Sequence, residues 1–203
     1  MTDGVFVASP ALPPIDQKAT LRYLNVKNST AEVLSLLREM IAEAESVFSA
    51  RACWCEVTVE RRDCEVDLGF TRVASRSLAA HLAGCDRAVV FAATVGLEID
   101  RLIAKYSRLS PARALCLQAI GTERIETLCD LLCASWKEAY CAEGKRTRTR
   151  FSPGYGDLPL AMQSDIFRLL DAPKRIGLSL NDSLLMSPTK SVTAIVGIER
   201  SLP

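Results

Sequence analysis

Residues 87–94 read RAVVFAAT, and this run determines the predicted fold. A strand with one face in water alternates apolar and polar side chains, whereas a short continuous apolar run predicts a strand buried on both faces. The loop that follows, Thr94-Val95-Gly96, leads into a helix. The elements predicted on either side of this strand set the fold class.

Downstream, apolar residues spaced by threes and fours predict helices over 97–107 and 111–143, with Pro111 in the first turn of the second helix after Ser110. A short helix is predicted over 160–170, with Asp157 as its cap. The C-terminal part predicts two strands, over 176–180 and 191–198, because apolar residues alternate in both.

Upstream, the run from Asn28 to about Arg51 predicts an amphipathic helix, with Ser29 or Thr30 as its N-cap. Alternation over residues 52–70 around the turn Arg61-Arg62-Asp63 predicts a β-hairpin, and residues 75–83 predict a short helix. Residues 1–27 are predicted to be an N-terminal arm, rich in proline and small residues, in which VFV can add one edge strand.

Helices and strands therefore interleave without a regular βαβ period. This order predicts an α+β fold, with a mixed or mainly antiparallel sheet packed with several helices. A chain of 203 residues with 49% hydrophobic content is long enough for one well-buried core. We expect a single domain over residues 28–203.

The charges of the chain nearly balance, with 25 Lys and Arg against 24 Asp and Glu, so the composition predicts neither nucleic acid nor an anionic membrane as a partner. No stretch approaches the roughly 20 apolar residues of a membrane span, and the N-terminus lacks the pattern of a signal peptide. We expect a cytoplasmic protein, in which the eight cysteines are reduced thiols.

Three of these cysteines raise the question of a metal site. Cys53 and Cys55 share a face of the first strand of the predicted hairpin, and Cys64 could oppose them from the second. A zinc or iron–sulfur site needs a fourth ligand at short spacing, whereas the single histidine, His81, lies on a predicted helix. We therefore predict no bound metal.

Residues 150–159, RFSPGYGDLP, combine a rigid turn with a cation and an aromatic ring. Pro153 presets the first corner of a type II turn, and Gly154 supplies the positive φ required at the second corner. Arg150 carries a planar fork that can bind a carboxylate through two hydrogen bonds. From the residues alone, a plain connection between two helices is an equal alternative.

The turn and the segment after it resemble the activation domain of cobalamin-dependent methionine synthase. That family has an arginine, a proline-glycine-tyrosine turn and a later serine, methionine, proline and Ser-Val. The matching residues here are Arg150, Pro153, Gly154, Tyr155, Ser183, Met186, Pro188, Ser191 and Val192. The upstream FAATVG and the long helix are similar to smaller relatives of the domain, so the resemblance extends over most of the chain.

This resemblance implies a site for S-adenosylmethionine beside a docked, cobalamin-bearing partner: methionine synthase or another corrinoid protein. Cob(II)alamin on the partner would receive one electron from a flavodoxin-like donor and a methyl group from the sulfonium. Arg150 would pair with the methionyl carboxylate, backbone at Ser152 and Gly154 would bond the ligand, and Tyr155 would lie near the corrin face. Ser191 and the helix acid Glu126 complete the implied binding set, with Glu123 and Asp130 as alternatives to Glu126.

The resemblance therefore implies a stand-alone reactivation subunit, inactive without its partner, that supports reductive methylation. The sequence also departs from the family, since a tyrosine that contacts the adenosyl ligand is replaced near Val196 by an aliphatic residue. A docking or chaperone module for a corrinoid protein, without a small-molecule site, is the alternative. An unrelated methyltransferase is disfavoured because no glycine-rich nucleotide loop follows a strand.

Overall fold

The computed structural model of the protein describes residues 4–26 and 30–200. Its helices and strands, in chain order, are β1 (Phe6–Ala8), α1 (Gln17–Tyr23), α2 (Ala31–Ala44), β2 (Arg51–Thr58), β3 (Glu60–Arg62), β4 (Glu65–Asp67), β5 (Arg72–Ala74), α3 (Arg76–His81), β6 (Cys85–Thr94), α4 (Glu98–Leu109), α5 (Pro111–Ala142), β7 (Thr147–Phe151), α6 (Met162–Leu170), α7 (Ala172–Ile176), β8 (Ser179–Leu180), β9 (Met186–Ser187) and β10 (Ser191–Glu199). The predicted α+β class is confirmed.

Within the described residues, the main sheet has five strands in the order β1-β2-β6-β10-β7, and each neighbouring pair is antiparallel. β6 contains the RAVVFAAT run and lies at the centre, paired on one side with β2 and on the other with β10. A separate sheet of β3, β4 and β5 and a short β8-β9 pair lie outside it. The sheet is thus wholly antiparallel, one of the two predicted arrangements.

The hydrophobic core has two parts, one on each face of this sheet. Phe91 of β6 packs with α2, α4 and α5 on one face, whereas Val90 packs with α3, α6 and α7 on the other. β10 divides in the same way, with Val196 on the first side and Ile195 on the second. The prediction that the central strand is buried on both faces is confirmed.

The helix predicted from Asn28 to Arg51 is shorter in the structure. It begins at Ala31, where the Thr30 side chain caps it by accepting a hydrogen bond from the Val33 N–H, and it ends at Ala44. Ser29, the alternative cap, lies outside the described residues. The helices predicted over 97–107 and 111–143 agree closely with α4 and α5, and Pro111 does occupy the first turn of α5.

The predicted hairpin over 52–70 is wrong in its pairing. β2 pairs with β1 and β6 of the main sheet, whereas the turn at Asp63 joins β3 to β4 in the small sheet. The alternating pattern correctly predicts extended chain, but alternation does not identify the partner strand. Cys53 and Cys55 are buried together on β2, while Cys64 is exposed and does not oppose them across a ladder.

Two local predictions near the turn are also corrected. Asp157 does not cap α6, whose first turn has no side-chain cap; it accepts hydrogen bonds at the start of α3 from the Ser75 hydroxyl and the Arg76 and Ser77 amides. The strand predicted over 176–180 is reduced to β8, because residues 172–176 form α7, which ends at Gly177.

The predicted N-terminal arm packs against the rest of the domain. β1 pairs with β2 at one edge of the main sheet, as expected for the VFV piece, and α1 packs on α5. Thr20 of α1 is fully buried. This packing places β1 in the sheet and α1 on its α5 side.

Candidate functional site

A groove of about 380 Å³ opens at the β7 edge of the main sheet. We call it the edge groove, and the residues that line it are Glu126, Arg150, Phe151, Ser152, Pro153, Tyr155, Gln163, Met186, Ser191, Val192 and Thr193. Five of the six predicted binding residues are in this set: Glu126, Arg150, Ser152, Tyr155 and Ser191. The structure thus brings together residues from distant parts of the sequence.

The groove exists because β7 stops before its partner does. Phe151 at the end of β7 pairs with Ile195 of β10, so residues 191–194 continue without a β7 partner among the described residues. Proline lacks the N–H that a strand ladder needs, and Pro153 follows two residues after the last paired position. The chain therefore turns away at Ser152 and leaves the first part of β10 bordering the groove.

The α5 side of the groove is charged. The Arg150 guanidinium pairs with the Glu126 carboxylate and donates a 2.6 Å hydrogen bond to Asp130 Oδ1. Burial alone would lower the pKa of Arg150, but Asp130, Cys129 and Glu126 together hold this pKa above its ordinary value. Arg150 is therefore a fixed cation held between two helical carboxylates, and we call Arg150 and Glu126, which line the groove, the charged wall.

The alternatives to Glu126 have other contacts. Glu123 is buried in an ion pair with Arg124, and its carboxylate also accepts hydrogen bonds from the Thr127 hydroxyl and the Asp16 backbone N–H. Asp130 contacts Arg150 from an exposed position and does not line the groove. Glu126 is the helix acid best placed to reach a ligand.

The predicted type II turn is present. The Tyr155 N–H donates to the Ser152 carbonyl at 3.2 Å, and Gly154 between them has a φ of 90°. The Gly154 N–H is itself bonded to the Leu158 carbonyl, and Gly154 does not line the groove. Gly154 thus shapes the turn in this structure, and its predicted bond to a ligand stays a prediction.

Ser191, at the start of β10, lies under the groove. Its side chain is buried, and its hydroxyl donates to the Pro188 carbonyl at 2.8 Å. The oxygen keeps its capacity to accept a hydrogen bond, because a hydroxyl combines one donor with two lone pairs. Ser191 can therefore present an acceptor to a ligand while its own proton is bonded to the Pro188 carbonyl.

Sequence reasoning missed two polar residues in the groove, Gln163 and Thr193. Both are buried, and Gln163 Oε1 and Thr193 Oγ1 have no hydrogen-bonding partner within residues 4–26 and 30–200. A signal for Gln163 was available, since it shares the buried stripe of α6 with Ile166 and Leu170. A polar side chain in a buried apolar stripe requires a partner, and the described residues supply none to Gln163 Oε1.

The comparisons with known proteins identify the family of the chain. The family model of the vitamin B12-dependent methionine synthase activation domain matches residues 74–201, which include every residue of the edge groove. The chain belongs to this family. A crystal structure of the MetH reactivation domain bound to AdoHcy is similar in fold, with a TM-score of 0.71 and 16% sequence identity over 96% of this chain and 78% of that one. A search of curated proteins gives no match.

The rim of the groove in this activation domain, and the segments next to it along the chain, carry exposed apolar side chains. Tyr155 lies on the rim with 67% of its surface exposed, and Leu160, which contacts the Gly154 position, is also exposed. Leu185, 63% exposed, precedes the groove residue Met186. Contiguous exposed apolar groups mark protein interaction surfaces, so these side chains are candidates for one.

Among the described residues of the activation domain, no three His, Cys, Asp or Glu side chains are grouped so that they could hold a metal ion. Burial raises the pKa of the Cys53 thiol to about 12 and that of Cys55 to about 11, so both stay protonated at neutral pH. The prediction of no bound metal stays a prediction. No helix in the described ranges is long and apolar enough to cross a membrane.

Proposed function

We propose that this activation domain binds S-adenosylmethionine in the edge groove and supports the reductive methylation of cobalamin carried by a partner protein. The partner is a cobalamin-dependent methionine synthase or another corrinoid protein, with a flavodoxin-like protein as electron donor. The chain would act as a reactivation subunit in the cytoplasm. The free thiols of all eight cysteines are consistent with a reducing compartment.

The observation that carries this proposal is the composition of the groove. A single cavity joins a charged wall, suited to the carboxylate and ammonium of an amino acid, with buried polar atoms that have no partner among the described residues. S-adenosylmethionine has both kinds of group: a zwitterionic end and a neutral polar nucleoside. The residues present therefore fit the ligand that the family uses.

The chain's own residues would bind S-adenosylmethionine and orient it. Arg150 can donate to the ligand carboxylate while Glu126 accepts from its ammonium, because the two side chains form one ion pair at the groove. Pro153 and Met186 give apolar contact in the same groove. When bound, S-adenosylmethionine supplies the methyl group that the partner's cobalamin accepts.

The partner is proposed to dock over the mouth of the groove, against Tyr155, Leu160 and Leu185. Methyl transfer requires donor and acceptor atoms roughly 3 to 3.5 Å apart, so the partner must cover the ligand. Covering the groove would also remove water from the apolar rim, which favours association. The acceptor is not among the side chains of this chain, so we expect no turnover without the partner.

The test is reconstitution. Purified protein is mixed with S-adenosylmethionine, a chemical reductant and a cob(II)alamin-loaded methionine synthase that lacks its own activation domain, and formation of methylcobalamin is followed in the visible spectrum. We expect methylation to depend on this chain and to fall with Leu185→Ala. Leu109→Ala is the matched control, because Leu109 is equally exposed at the end of α4 and outside the groove.

Methylation at the same rate without this chain would refute the proposal. If the chain binds the corrinoid protein but not S-adenosylmethionine, the alternative of a docking or chaperone module would replace it. Equal losses from Leu185→Ala and Leu109→Ala would leave the activity in place but refute the proposed docking face.

A further inference from the structure

We propose that Gln163 and Thr193 form the nucleoside-recognising part of the edge groove, and that the Gln163 amide selects adenine over other bases. This inference deepens the proposed function and rests on it. It starts from two side-chain oxygens, Gln163 Oε1 and Thr193 Oγ1, which have no partner in residues 4–26 and 30–200 and which the family resemblance did not include.

Gln163 and Thr193 are 6% and 2% exposed, and both line the groove. Their oxygens, Oε1 and Oγ1, find no hydrogen-bonding partner in the described parts of the chain. A buried polar atom without a partner destabilises the folded state, so such atoms are rare in native proteins and usually serve a ligand or water. Two of them in one groove indicate a neutral polar ligand group.

The two residues lie on the side of the sheet opposite the charged wall. Thr193 shares its parity in β10 with Ile195, which packs with α6 and α7, and Gln163 comes from α6 itself. Glu126 comes from α5, which packs on the other face. The groove therefore has a charged end, which suits the amino-acid part of the ligand, and a neutral polar end, which suits its nucleoside.

The Gln163 amide suits adenine in particular. A glutamine side chain offers one carbonyl acceptor and one NH₂ donor, and this pair matches the N6 amino group and N7 of adenine. Hypoxanthine presents two acceptors, O6 and N7, at the same edge, so one of the two hydrogen bonds would be lost. The Thr193 hydroxyl can donate and accept, and we assign to it a further hydrogen bond with the nucleoside.

The experiment is calorimetric titration of the full chain with S-adenosylhomocysteine and with S-inosylhomocysteine, its hypoxanthine analogue. A bidentate glutamine–adenine contact corresponds to discrimination of about 5- to 150-fold, and we expect wild type to prefer the adenine ligand within this range. Gln163→Met has a similar length and no hydrogen-bonding amide, so it should bind both ligands with nearly equal affinity. Gln118→Met, on an exposed position of α5, is the matched control and should keep the preference.

Thr193→Val separates a binding role from a structural one. Removing a hydroxyl that has no partner should leave the thermal midpoint of the unliganded protein unchanged or raised, yet weaken binding of S-adenosylhomocysteine about 2- to 10-fold. A lower midpoint with unchanged affinity would overturn the assignment of Thr193.

The outcomes distinguish this inference from the proposed function. If wild type binds the two ligands equally, or if Gln163→Met keeps the preference, the base-recognising role is overturned while S-adenosylmethionine binding stands. If wild type binds neither ligand, both the inference and the proposed function fail. The wild-type comparison decides the matter even if a variant does not fold.

Discussion

Replacing Arg150 by alanine tests the charged wall directly. The substitution removes the guanidinium that pairs with Glu126 and Asp130 and leaves the β7 backbone pairing with β10 intact. It should affect ligand binding strongly and folding weakly, because the side chain lies at the groove and not in the core.

The expected magnitudes follow from exposure and geometry. The carboxylates of the two ion pairs are 35% and 74% exposed, and exposed pairs contribute about 0.2 to 1 kcal/mol each. Without Arg150, Glu126 and Asp130 would face each other one helical turn apart, and such repulsion costs roughly 0.2 to 0.5 kcal/mol. We therefore expect the free energy of unfolding to fall by about 1 kcal/mol.

Binding should suffer more than folding. A hydrogen bond to a charged group contributes about 1.5 to 3 kcal/mol. Arg150 is already paired with two carboxylates before the ligand binds, so the bond to the ligand carboxylate partly replaces existing interactions. We therefore expect a loss of binding free energy at the lower end of that range. This loss corresponds to a dissociation constant for S-adenosylmethionine that rises roughly 10-fold.

The assay is calorimetric titration with S-adenosylmethionine, accompanied by chemical denaturation of the same samples. Arg148→Ala is the control from the same strand: Arg148 pairs with Glu199, donates to the Ala83 carbonyl and does not line the groove. An unchanged dissociation constant for a folded Arg150→Ala variant would refute the carboxylate-binding role. A loss shared equally with Arg148→Ala would show a general effect of positive charge instead.

Three further predictions concern the turn, a carboxylate and the cysteines. Gly154→Ala should lower the thermal midpoint and weaken ligand binding, because a φ of 90° strains an alanine by about 1 to 3 kcal/mol and its Cβ would lie 3.3 Å from Leu160 Cδ1. Hydrogen bonds from Ser75 and the Ser77 backbone lower the pKa of Asp157, so its contribution to stability is present at neutral pH and is lost as the pH falls below about 4. Calorimetry should therefore show a gap in thermal midpoint between wild type and Asp157→Asn that is widest at neutral pH and narrows in acid; a constant gap would contradict this. Elemental analysis should give no stoichiometric zinc or iron, and near-stoichiometric metal would refute the cysteine argument.

The fold was predictable where burial imposes a simple pattern. The unbroken apolar run in β6 predicts a strand buried on both faces, and apolar residues spaced three and four apart in α5 predict a helix. Both predictions are confirmed. Pairing was not predictable, because the alternation in β2 is compatible with any neighbour of matching hydrophobicity. β7 was not predicted because Thr and Arg alternate in it, so the apolar residues that usually reveal a strand are missing. Such a charged pattern suits an edge strand.

The candidate site divides in a similar way. Arg150 and Tyr155, which were predicted to bind the ligand, line the groove. They could be predicted because they belong to a family pattern that is visible in the sequence. Gln163 and Thr193 have no such pattern, since one glutamine in a helix and one threonine in a strand are ordinary. The buried stripe of α6 marks Gln163 as a buried polar residue, but only the packing shows that nothing in the described chain bonds to its Oε1 or to Thr193 Oγ1.

Pro153 affects both the end of strand β7 and the turn that follows it. As a residue without an N–H it cannot extend β7, so residues 191–194 of β10 stay uncovered and the groove can reach Thr193 between the layers. As the first corner of the type II turn it also positions Tyr155 on the rim. A turn that only joined two helices would need neither the early end of β7 nor an exposed ring beside it. Together these features favour a ligand site over a plain connection, which the residues of the turn alone could not decide.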